Sequence, residues 1–155
     1  MRPLATEDKA LLVQATLGNI NWSGEHVTAQ DVQTQPQFRH YTVLVPGRGD
    51  FGIVAEVAGE PIGVVWAQYL GAEDPGYGFV DEATPELCLW VVSSSRGFGV
   101  GRGLLRAQQA KARRRGIARL SLSVEPDNFA AQLYAAEGFA PVEGREEDGV
   151  MIWAS

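Results

Sequence analysis

Residues 86–139, ELCLWVVSSSRGFGVGRGLLRAQQAKARRRGIARLSLSVEPDNFAAQLYAAEGF, run through strand, glycine loop, helix, strand and helix signals without a break. Leu87 to Val92 is an apolar run with no polar alternation after Glu86, which predicts a strand buried on both faces. Ser93, Ser94 and Ser95 end it. Arg96-Gly97-Phe98-Gly99-Val100-Gly101-Arg102-Gly103 then sets glycines at alternate positions directly before a helix-forming segment, Leu104 to Arg115. The opening N–H groups of a helix lack internal partners and carry partial positive charge, so a phosphate can satisfy them. Glycines let the backbone approach such a phosphate and adopt positive φ where the turn needs it. The same residues also make a plain turn, so the loop alone leaves an anion cradle and a simple connection both open.

Two nucleotide motifs are excluded. No frame of the loop satisfies G-x-G-x-x-G, because the last position falls on Arg102, Leu104 or Arg106, and no G-x-x-x-x-G-K-[ST] occurs. What fits is R-x-x-G-x-G, with Arg96, Gly99 and Gly101. After a strand from Leu120 to Val124 comes Asn128-Phe129-Ala130-Ala131-Gln132-Leu133-Tyr134, then Gly138-Phe139. These two spaced motifs resemble the GNAT acetyltransferase superfamily, whose second segment reads N-x-A-x-x-L-Y-x-x-x-G-F.

The rest of the chain agrees in order of elements. Thr6 can cap a first helix, with Leu11, Leu12, Ala15 and Leu17 on its apolar face and Gly18 and Asn19 at its end. Thr28 opens a second, more polar helix that Pro36 closes. Phe51 to Val57 and Pro61 to Tyr69 form a hairpin across Ala58-Gly59-Glu60 and should pair antiparallel beside the Leu87 strand. Ala140 to Val142 and Val150 to Ala154 read as two last strands around the charged turn Glu143 to Gly149. The expected fold is α/β: a mixed, mostly antiparallel central sheet flanked by helices, which is also the fold of the resembling family. At 155 residues, 45% hydrophobic and 21% charged, the chain suits one domain spanning residues 1–155.

Composition narrows the partners. A net charge of −6 argues against nucleic acid, whose phosphates demand a basic face. Cationic acceptors would be drawn to it. Met1-Arg2-Pro3 leads into polar residues, with no apolar stretch of signal or membrane-spanning length, so the expectation is a cytoplasmic protein. The single cysteine, Cys88, reads as a small core residue, and neither His26 nor His40 has a spacing that suggests metal. Lys111, Arg113, Arg114 and Arg115 complement the carboxyl end of the central helix and read as its solvated end.

The resemblance implies a cofactor, acetyl-CoA as co-substrate, entering where the strand before the glycine loop splays from its neighbour. The backbone of Trp90, Val91 and Val92 would pair with the pantetheine amides, with an N–H near Val91 or Val92 polarising the thioester carbonyl. Arg96 and the loop from Gly97 through Phe98, Gly99, Val100, Gly101 and Arg102 to Gly103 would hold the pyrophosphate. Asn128 would contact the pantetheine arm, and equally suits a helix N-cap. Tyr134 would protonate the leaving thiolate, and tyrosine is also a frequent core residue. Glu86 lies near, though offset from, a glutamate that some members use to deprotonate the amine through water. Ser123 stands where amino-terminal acetyltransferases of the family often have glutamate, which favours a small-molecule amine over a protein terminus or lysine. Outside catalysis, the same residues would serve an acyl-CoA-binding sensor.

The acceptor side is thinly written. Trp22, Phe38 and Tyr41 either line the acceptor cleft or pack the helices onto the sheet. The long segment Leu70 to Pro85, with Tyr77, Phe79, Asp81 and Glu82, is either a lid on that cleft or a surface excursion. Homodimers are frequent in the family, so a homodimer is an assembly the resemblance allows.

Overall fold

The computed structural model describes residues 1–155, beginning at a sheet edge with Arg2–Pro3 (β1). The Arg2 guanidinium reaches Glu56 at 3.0 Å and both Asp8 carboxylate oxygens at 2.8 Å. Asp8 also accepts the Ala5 N–H at 2.9 Å. The start of the first helix therefore rests on Asp8, and Thr6, expected to cap it, makes no capping bond.

Helix α1 spans Lys9–Ile20 and does not stop at Gly18 and Asn19. Gly18 stays helical and lies against the Trp90 indole, where an added Cβ would sit 2.3 Å from Nε1. Glycine here makes room for a large neighbour instead of ending the helix. Helix α2 (Ala29–Thr34) opens with the reciprocal Thr28 and Asp31 bonds of a capping box, at 3.1 and 2.9 Å. Pro36 does not close it. It starts a one-turn helix, α3 (Pro36–Arg39), at the position where a missing N–H is tolerated.

The hairpin forms from β2 (Phe51–Val57) and β3 (Glu60–Gln68), but its turn is only Ala58 and Gly59, both of positive φ, and Glu60 already belongs to β3, paired with Val57. Strand β4 covers Glu86–Val91, so Glu86 belongs to the strand and Val92 follows it. It lies antiparallel to β3 from Gln68↔Glu86 to Gly63↔Val91. Helix α4 covers Val100–Arg114 and so starts before Leu104; Gly101 and Gly103 belong to its first turn. β5 (Arg119–Ser123), α5 (Ala130–Ala136), β6 (Ala140–Pro141) and β7 (Val150–Ala154) complete the chain.

The strand order is β1-β2-β3-β4-β5-β7-β6. All pairings are antiparallel except β4 with β5, which is parallel and amounts to one aligned pair, Glu86↔Ser121. Beyond that pair the two strands part. Strand alternation sends Leu87 and Val91 into the core beneath α4, and Cys88 and Trp90 toward the core beneath α1. Leu104, Leu105 and Leu120 are fully buried in the α4 core, each contributing about 1.5–3 kcal/mol of transfer free energy. The basic end of α4 is packed, not merely solvated. Arg113 lies 4.9 Å over the Trp153 ring and Arg115 4.6 Å over Phe51.

Candidate active site

Two cavities, of 580 and 690 Å³, open where β4 and β5 separate. Asn19, Trp22, Leu89, Asn128, Ala130 and Tyr134 line both, so the two are ends of one cleft.

The larger end is bounded by the glycine loop. Gly97 and Gly99 have φ near +82° and +83°, and a Cβ on either would meet no neighbour. The backbone conformation, and not crowding, calls for glycine there. Gly99 precedes α4 without a side-chain cap, and the first helical bond is from the Gly103 N–H to the Gly99 carbonyl at 3.0 Å. The N–H groups before it are left for a ligand. Arg96 ties this loop to the strand through Nε, which donates to the Val91 carbonyl at 3.0 Å. Arg102 pairs with Glu137, which also takes Arg106 at 2.8 Å. Phe98, 81% exposed, together with Gly103 and Val92, lies outside the cleft lining.

One sequence expectation needs correction at the strand edge. The Val92 N–H donates to the Ile62 carbonyl at 2.8 Å. By antiparallel alternation the main-chain groups of Trp90 share that direction, toward β3, while those of Leu89 and Val91 face the cleft. Trp90 thus offers the cleft its side chain and Val91 its N–H. Val92 cannot polarise a bound carbonyl.

The smaller end is built around Glu86. This side chain is only 4% exposed, and burial pushes its carboxyl up to about 7. The Tyr41 hydroxyl opposes that shift by donating to Oε2 at 2.6 Å, while Oε1 has no hydrogen-bond partner. Tyr41 in turn accepts the Tyr77 N–H at 2.8 Å, binding the 70–85 segment into the wall. Gly76 fits so closely that a Cβ there would sit 2.0 Å from Glu86 Oε1. His40, buried beside Tyr41, adds a second tie through Nδ1 to Asp74 at 2.8 Å. The long segment packs as a wall of the cleft, and Tyr77 lines it.

Tyr134 stands where the two ends meet, packed edge-on against Phe139. Its hydroxyl makes no hydrogen bond within the chain, and burial pushes the phenol up, keeping it a neutral donor. Asn128 serves the start of α5, its Oδ1 accepting the Ala130 N–H at 2.9 Å, and still borders both cavities. Cys88 borders the smaller end as well as the core, and burial raises its thiol. Phe38 and Tyr41 are buried and cleft-lining at once, so both readings of these aromatics hold together. His26 lies exposed at the rim, 3.2 Å from the Ser23 hydroxyl. No three His, Cys, Asp or Glu side chains converge as metal ligands would, and no helix is long and apolar enough to cross a membrane.

Sequence reasoning missed two pairs, Tyr41 with Glu86 and Trp22 with Glu125, the latter joined by Trp22 Nε1 to Oε2 at 3.0 Å. Partners so far apart in the chain leave no local spacing to read.

The family model described as acetyltransferase (GNAT) family matches residues 17–139. The chain belongs to the GNAT family of acetyltransferases. The fold is shared with the GNAT domain of S. lividans PAT, at 23% identity and TM-score 0.69 over 99% of this chain and 89% of that one. PaiA N-acetyltransferase from Thermoplasma acidophilum, solved with coenzyme A, superposes over 100% of both chains at 16% identity and TM-score 0.71. YncA from Salmonella typhimurium, solved with acetyl-CoA, covers 99% of this chain and 91% of its own at 20% identity and TM-score 0.65. No curated protein matches the chain in sequence.

Proposed function

We propose that this chain transfers an acetyl group from acetyl-CoA to a primary amine of a small molecule, by direct attack in a ternary complex. The observation that carries the reading is the meeting of the two cleft ends at Tyr134, with a buried carboxylate, Glu86, on one side and a glycine cradle on the other. Coenzyme A suits these residues: Gly97, Gly99, Val100, Gly101 and Arg102 would hold the pyrophosphate at the uncapped start of α4. The open edge of Leu89 and Val91 would receive the pantetheine amides as an added strand, with the Asn128 amide nitrogen alongside. Solved neighbours that hold coenzyme A or acetyl-CoA support the choice of donor.

When bound, acetyl-CoA supplies the activated acyl carbon; the chain manages protons and charge. Glu86 takes a proton from the ammonium, directly or through water, freeing the nitrogen lone pair. The Val91 N–H steadies the carbonyl oxygen as the nitrogen bonds to the acyl carbon. As the thiolate leaves, Tyr134 would give it a proton and recover one from the nitrogen, which sheds its second proton as the amide forms. With Glu86 titrating near 7, turnover rises as pH climbs through that value and falls on the acid side.

Thiol release from acetyl-CoA, assayed with pooled amines, amino acids and basic peptides beside thermal stabilisation by the cofactor, tests this reading. Release that depends on a small amine is expected. Release only with peptides would move the acceptor to protein, stabilisation without release would indicate an acyl-CoA-binding module, and the absence of both stabilisation and release would overturn the cradle.

A further inference from the structure

The acceptor end of the cleft is lined by 21 residues, among them three carboxylates, Glu86, Glu125 and Asp148, and no lysine or arginine. The carboxylates lie at two depths. Glu86 is buried on β4 with Oε1 unpartnered, while Glu125 and Asp148 are exposed on the far wall, following β5 and preceding β7. Glu125 is fixed by the Trp22 indole at 3.0 Å through Oε2, leaving Oε1 free of the chain. Asp148 is partly neutralised by Arg145 at 3.1 Å, and its carbonyl accepts the Ser123 hydroxyl at 2.9 Å. Trp22 and Tyr77, both solvent-exposed aromatics, border the same space.

We infer that the acceptor carries two ammonium groups: an alkyl diamine or longer polyamine whose reacting nitrogen reaches Glu86 while the second cation rests at Glu125 beside the Trp22 ring. This rests on the acyl-transfer reading above and names its substrate class. A cavity of 580 Å³ exceeds what one amino group fills. Aromatic faces and a free carboxylate oxygen attract a second ammonium. An acceptor that carries a carboxylate instead meets like charge on both walls, offset only at Asp148 by Arg145. Because Glu125 is exposed, the preference is moderate and salt-sensitive.

The test measures equilibrium binding of cadaverine, pentylamine and ω-aminopentanoate to the protein saturated with coenzyme A, and thiol release from acetyl-CoA with each. Equal chain lengths isolate the second charge. Cadaverine should bind about tenfold tighter than pentylamine at low ionic strength, with the amino acid weakest. Glu125→Gln keeps a carbonyl to accept from Trp22 and removes only the charge, and should bring cadaverine and pentylamine within about twofold of each other. Asp148→Asn, a second variant, should reduce the ratio less. Equal binding of the three amines, no binding of cadaverine, or an unchanged ratio in Glu125→Gln overturns the inference. Selective diamine binding without thiol release would uphold the dication site and sink the acyl-transfer reading; release without selectivity would do the reverse.

Discussion

The two ends of the cleft are specified in different ways. The larger end, the proposed cofactor site, is framed by main chain: an uncapped helix start, two glycines of positive φ and a strand edge, all within residues 89–103. The smaller end, the proposed acceptor site, is made of side chains brought from α1, the turn after it, the 70–85 segment, β4 and the turns beside β5 and β7. Main-chain sites tolerate change wherever the backbone path is kept. Side-chain sites are rewritten by single substitutions, so the acceptor end is where selectivity can diverge while the donor stays fixed.

Four substitutions would break or sharpen that contrast. Tyr134→Phe, at the junction, should lower kcat by about 100-fold and leave coenzyme A affinity within about twofold, measured by turnover and calorimetry; unchanged turnover would remove the proton-donor role. Glu86→Gln should lower kcat/KM by about tenfold or more and abolish the acid limb near pH 7 in a pH–rate profile. The same variant has a stability signature. Glu86 binds its proton more tightly folded than unfolded, so its stabilising contribution is complete below about pH 4.5 and is lost as pH rises through about 7. Chemical denaturation at pH 8 should therefore find Glu86→Gln more stable than the parent by up to about 3 kcal/mol, an advantage that vanishes near pH 4. Gly99→Val forces a branched residue into positive φ and should weaken coenzyme A binding by about tenfold without altering acceptor binding. Tyr41→Phe removes a donor to the carboxylate and should move the acid limb above 7 with a loss of only several-fold in kcat.

Most of the fold was legible because its signals are local. The hairpin, the glycine loop and the N-x-A-x-x-L-Y segment each carry a periodicity or turn chemistry that a short window reveals. The misreadings at Gly18 and Pro36 share one cause: each residue can end a helix, and tertiary context chose otherwise. Trp90 needed space at Gly18, and Pro36 found a first-turn position in α3. The Val92 assignment failed by one residue, which in a strand reverses the direction of the main-chain groups. At the site, Glu86 and Tyr134 stood out by position, but the bond between Tyr41 and Glu86 spans 45 positions and that between Trp22 and Glu125 spans 103. Such pairs exist only once the chain has folded.

The sheet is continuous in order and nearly severed in fact, since β4 and β5 share one aligned pair. β1 to β4 and β5 to β7 thus form two main-chain blocks, joined by few hydrogen bonds at the seam and by the α4 core, to which Leu87 and Leu120 both belong. A molecule lying in the seam as an extra strand would weld the blocks together. Hydrogen exchange should then slow on both sides when the donor binds, and the melting temperature should climb with donor concentration.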